Sequence, residues 1–91
     1  MSETTLTANG TFEIVNFPAD SAIVALTGGF GGGTVTLSVK EGNRGTDLVL
    51  DTATAAYVQT VDVGMGNDFK ATLAGASGSF SLLIQIIPKR S

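Results

Sequence analysis

Cysteine, histidine and tryptophan are all missing from this chain. Without cysteine there is no disulfide framework, no thiolate metal site and no cysteine nucleophile. Without histidine, imidazole base catalysis, the Ser-His-Asp arrangement and the common transition-metal ligand sets are unavailable. Aromatic residues are scarce as well, with one tyrosine and five phenylalanines, which leaves no extended stacking platform. Cations are few: Lys40, Arg44, Lys70, Lys89 and Arg90 stand against eight acids, for a net charge of −3. They form no stripe, and nucleic-acid binding needs several cations aligned on phosphates to drive counterion release. No run of apolar residues approaches the ~20 needed to span a bilayer. The opening MSETTLTANG has neither the basic start nor the apolar centre of a signal peptide. That predicts synthesis in the cytoplasm with no membrane partner.

What is present points to a folded β-domain. At 91 residues the chain is one domain that buries only roughly 60–65% of its unfolded surface, so its core is thin and partner subunits would help complete it. With 43% hydrophobic and 14% charged residues it is too apolar for a disordered segment. Hydrophobicity alternates with period 2. Val35, Leu37 and Val39 take one face of their run, while Thr34, Thr36, Ser38 and Lys40 take the other. Residues 69–73 alternate likewise, and residues 79–87 start as an alternation before turning apolar on both faces. A strand of that kind is covered on both sides or meets a neighbouring subunit. Further strands are expected over 11–16, 22–27, 47–51 and 56–63, with one more near 4–7. Turn chemistry separates them at Asn9-Gly10, Pro18 to Asp20, Gly28 to Gly33, Glu41 to Gly45, Gly64 to Asp68 and Gly75 to Gly78. Residues 51–58 read as a loop leading into a strand.

The expectation is an all-β fold, an antiparallel β-sandwich or jelly-roll-like barrel of seven to eight short strands. An N-terminal arm would cover 1–10, the sandwich domain 11–88 and a short tail 89–91. The arm, with Thr4-Thr5-Leu6-Thr7, would either fray or add a strand to another subunit through main-chain hydrogen bonds.

Candidate chemistry is thin. The stretch Gly28-Gly29-Phe30-Gly31-Gly32-Gly33 lacks the Gly-Lys-Ser/Thr ending that lets a P-loop open a helix on phosphate; it reads as a wide hairpin between two strands. Phe30 within it would either meet a neighbouring molecule or cap the end of the barrel. Gly64-Met65-Gly66 has Phe69 where a dinucleotide fingerprint has its third glycine, and reads as a turn. Asp47 and Asp51 would share a strand face, but a domain this small has little room for a glycosidase cleft. Oxygen donors for calcium are limited to Glu41, Asn43, Asp47 and the Asn67-Asp68 pair, with no regular ligand series. No catalytic, metal or cofactor residue is assigned, and the chain is expected not to be an enzyme.

Two phrases carry a resemblance. One is Gly29-Phe30-Gly31-Gly32-Gly33-Thr34-Val35-Thr36-Leu37-Ser38-Val39. The other is Phe69-Lys70-Ala71-Thr72-Leu73-Ala74-Gly75-Ala76-Ser77-Gly78-Ser79-Phe80-Ser81-Leu82. Together, over roughly residues 22–87, they resemble small virion proteins of tailed bacteriophages. The resemblance implies a structural role: a decoration or cement protein on the capsid, or a head or tail accessory subunit. It also implies a homo-oligomer, a trimer by preference, with the major capsid protein as partner and the virion surface as location. The polar surface supplied by 12 threonines and 7 serines would make contacts without the desolvation cost of charges. Contact residues expected at a subunit or capsid boundary are Leu6, Phe30, Tyr57, Leu83 and Ile87. The alternative is a glycan- or cell-surface-binding sandwich module of a head fibre or tail, for which Tyr57 and Phe30 are the only rings that would stack on a sugar.

Overall fold

The alternation along the chain becomes eight strands in a computed structural model, which describes residues 2–40 and 46–89. They are β1 (Ser2–Leu6), β2 (Gly10–Ile14), β3 (Ser21–Gly28), β4 (Thr34–Lys40), β5 (Leu48–Ala53), β6 (Tyr57–Asp62), β7 (Asp68–Ala74) and β8 (Leu82–Lys89). Two four-stranded sheets result, a first of order β1-β8-β3-β6 and a second of order β2-β7-β4-β5. Every neighbouring pair is antiparallel. This is a β-sandwich with the strand order of a jelly roll. Only β4 and β5 follow each other within one sheet, and every other connection crosses from one sheet to the other.

The inner faces share one core. Val35 and Leu37 from β4, Val24 and Leu26 from β3, and Ile84 and Ile86 from β8 are wholly buried in a single cluster. Phe17, in the β2–β3 connection, meets Phe69 of β7 edge to face at 5.8 Å between ring centres, the arrangement an aromatic quadrupole favours. Because strand side chains alternate, the residues between these face outward, and the two outer faces are where surface properties are written.

Several expectations change once the strands are placed. The glycine stretch is not a hairpin: β3 belongs to the first sheet and β4 to the second, so the loop carries the chain across the end of the sandwich. Gly31 and Gly32 take the left-handed backbone this needs, at φ 61° and 77°. The 75–78 glycine turn likewise crosses from β7 to β8 between sheets. The segment expected as an arm is edge strand β1, paired with β8 of its own chain from Ser2 opposite Ile86 to Leu6 opposite Leu82. The main-chain groups of β8 that face away from β3 take up this strand, as they would have taken one from another subunit. The last strand starts at Leu82 rather than 79, because Phe80 packs against the glycine loop instead of joining a ladder. It also runs through Pro88 to Lys89. Pro88 is tolerated because it stands opposite Ala22 beyond the end of β1, where among the described residues no strand pairs with the side of β8 that its missing N–H would face.

A bulge overturns the shared face of Asp47 and Asp51. Register slips between Leu37 and Ser38, so Asp51 stands opposite Leu37 on the inner side. Asp47 pairs with Lys70 at 3.3 Å, and Lys70 lies opposite Ser38 on the outer side of the second sheet.

Candidate functional site

The outer faces differ in chemistry. On the second sheet, Thr11, Thr72, Thr36 and Thr52 line up as one row across β2, β7, β4 and β5. The first two hydroxyls lie 3.2 Å apart. The next row holds Glu13, Lys70 and Ser38, with the exposed Lys70–Asp47 pair beside it, worth about 0–1 kcal/mol. That surface is mainly hydroxylated and charged, with the exposed Val49 opposite Ser38 on the edge strand β5.

The outer face of the first sheet carries five apolar side chains set among uncharged polar ones. Ile23 of β3 lies between Ile87 of β8 and Thr60 of β6, and Ala25 lies between Gln85 and Val58. Leu83 stands between Thr5 and Thr27. Val58 is 64% exposed and Ile87 39%. Charges are confined to the margins. Glu3, on the β1 edge, accepts a hydrogen bond from the Gln85 side-chain amide at 3.2 Å. Lys89 and Asp62 flank Ser21 at one end. Gln85, Thr27 and Thr60 intervene among the apolar side chains, and exposed apolar groups free of charge are a common feature of interaction sites.

The five residues singled out from the sequence divide. Leu83 and Ile87 share this outer face. Leu6 does not: it stands opposite the buried Leu82 and packs against the core. Phe30 is 6% exposed and belongs to the core, so it caps the end of the sandwich rather than offering a contact. Tyr57 points inward at the β5–β6 side, where its hydroxyl donates to Asp51 Oδ2 at 2.8 Å. Asp51 also accepts from the Thr52 N–H at 2.8 Å. The tyrosine bond, and after it this second bond, hold the Asp51 carboxyl below the usual carboxylate range. Partial burial first, and then the Asp51 bond and charge, push the Tyr57 phenol up to about 12.

Ile23, Ala25 and Val58 complete the face and escaped the sequence reading. The signal was there, since residues 22–26 are apolar at both parities, as are residues 82–84. What the sequence lacks is the adjacency of β3 with β8 and β6, which joins these residues into one surface.

The oxygen donors weighed for calcium have other partners. Asp47 meets Lys70, Asp68 Oδ1 accepts from the Asn16 N–H, and the Asn67 amide donates to the Val63 carbonyl. Glu41 and Asn43 lie outside the described residues. Among the described residues no group of three or more acidic side chains stands together as a metal site. No protein-family model and no curated protein matches the chain.

Proposed function

We propose that the chain is a non-enzymatic structural subunit of a bacteriophage virion, a decoration or cement protein that bridges capsid subunits. The observation that carries this reading is the charge-free centre of the first sheet's outer face, where Ile23, Ala25, Val58, Leu83 and Ile87 stand among Gln85, Thr27 and Thr60. Burying such a surface against the major capsid protein contributes about 25 cal/mol per Å². A homo-oligomer that touches several capsid subunits at once multiplies that gain without further contacts. A jelly roll serves many functions, so the fold argues less than the face does. The resemblance to small virion proteins points the same way. Nothing favours the glycan module, because Phe30 is buried and the Tyr57 hydroxyl is already committed to Asp51.

The test is the presence of the chain on particles. An antiserum against the purified protein is applied to phage particles induced from the source organism and viewed by immunogold microscopy. Regular labelling of heads is expected, with fewer copies retained when Leu83→Ser and Ile87→Ser are introduced together. Particles that are unlabelled, and from which mass spectrometry recovers no peptide of the chain, would remove the proposal.

A further inference from the structure

The sandwich has four open strand edges, and they are not protected alike. An edge strand presents unpaired N–H and C=O groups, which proteins commonly guard with charges, bulges, proline or shortness. Strands β1 and β2 are five residues each and carry Glu3 and Glu13. Strand β5 carries Asp51 and sits against the register slip at Leu37 and Ser38. Strand β6 has no proline and no register slip, and its one charge, Asp62, stands at the very end. Its sequence Tyr57-Val58-Gln59-Thr60-Val61-Asp62 is uncharged up to the last residue. It also pairs with β3 residue for residue along its whole length.

The hydrogen-bond phase of that edge follows from the ladder. Val63 N–H donates to the Asp20 carbonyl at 2.9 Å, and alternate residues back along β6 repeat the pattern toward β3. On the other side of β3, the Gly29 N–H bonds the Ser81 carbonyl at 2.9 Å, which sets the same phase. Tyr57, Gln59 and Val61 therefore spend their main-chain groups on β3. Those of Val58, Thr60 and Asp62 face away from it, at the open edge.

We infer that β6 is a self-pairing edge, and that two copies of this chain join antiparallel through it about a two-fold axis at Gln59. The inference stands on the edge itself and not on the virion reading. Side chains opposite one another must lie on the same face, so only registers of matching parity are allowed. In the register centred on Gln59, Val58 stands opposite Thr60 of the other copy on the outer face, and Tyr57 opposite Val61 on the inner. Both Val58–Thr60 pairs are then of the hydrogen-bonded kind, which is the phase the open edge presents.

Charge decides why the second copy fits here and not on the other edges. Self-pairing of β1, β2 or β5 about its middle puts Glu3, Glu13 or Asp51 diagonal to its own mate, ~7–8 Å away. On β6 the acid falls at the strand end, opposite Ala56 of the other copy. The two Asp62 carboxylates are then six residues apart along the strand, ~20 Å. The pairing merges the two first sheets into one, covers Val58, and makes the charge-free outer faces of both copies continuous. It replaces the three-fold assembly that the resemblance implies.

The experiment is sedimentation equilibrium of the full chain across a dilution series, with circular dichroism to confirm folding. The expected mass is twice 9.2 kDa. Val58→Lys, on an exposed outward position, sets the two introduced lysines diagonal to each other and weakens the dimer roughly tenfold or more. Adding Thr60→Glu to that variant places each lysine opposite a glutamate of the other copy and restores association in a salt-sensitive way. A wild-type monomer at all concentrations, a trimer, or a dimer indifferent to Val58→Lys would each overturn the proposal. So would a double variant that stays monomeric while folded, since the charge swap belongs to this register alone.

Discussion

Ile86 and Ile87 are adjacent on β8 and chemically identical, yet the sandwich puts one in the core and the other outside. Replacing each by alanine therefore measures the geometry with the chemistry held constant. Ile86 is wholly buried, so Ile86→Ala removes buried methylenes and leaves a cavity, at a cost of about 2–5 kcal/mol. A chain of 91 residues has a total stability of roughly 5–14 kcal/mol. A loss near 3 kcal/mol is thus a large share of it and lowers Tm by roughly 12–24 °C. Ile87 is 39% exposed and faces outward. Ile87→Ala loses only partial burial and some strand preference, about 1 kcal/mol. Urea unfolding followed by far-ultraviolet circular dichroism gives both numbers, repeated at tenfold higher protein concentration. The Ile86→Ala loss is expected at both concentrations. The Ile87→Ala loss should grow with concentration if the outer face is covered by association, because binding stabilises only the folded form. Equal losses for the two neighbours at the lower concentration, or a larger one there at Ile87, would refute the assignment of faces on β8.

Two further outcomes are expected. The chain has one tyrosine and no tryptophan, so phenolate absorbance reports Tyr57 alone; its midpoint in the folded protein should lie at about 12. A phenol raised on folding contributes stability that is complete below about pH 10 and is lost between there and 12. Asp51, lowered on folding, contributes in the opposite sense: its part is present above its ordinary value and fades as pH falls through the folded one. Asp51→Asn should bring the tyrosine midpoint down only partway, because burial is the larger cause; a return to the ordinary value would contradict that. Asn9 accepts from the Ala76 N–H at 2.9 Å and donates to the Ala76 carbonyl at 3.1 Å, tying the turn after β1 to the turn after β7. Asn9→Ala should cost about 1–2 kcal/mol in thermal unfolding, and Asn9→Asp, which keeps the acceptor alone, about half of that. A neutral Asn9→Ala would mean the two turns are held by other contacts.

The sequence by itself determined the class of fold and most of its strands, because strand alternation is a local property, while the choice between a sandwich and a barrel waited on the pairing. Thr34 to Lys40 alternate on the page as they do in β4, and the glycines that break the pattern sit where the chain turns. It also showed that the last strand is apolar on both faces, and Leu83 and Ile87 followed from that. Three things had no local signature. Strand order did not, since glycines serve a hairpin and a crossing between sheets equally well. The bulge in β4–β5 did not, although it alone sends Asp47 and Asp51 to opposite sides. Nor did the fate of the first residues, whose main-chain groups would pair with any open strand and find β8 of their own chain. The charge-free outer face and the open β6 edge are properties of neighbours across a sheet. Residues 23, 58 and 87 are far apart in sequence, and only the pairing of β3 with both β6 and β8 makes them one surface.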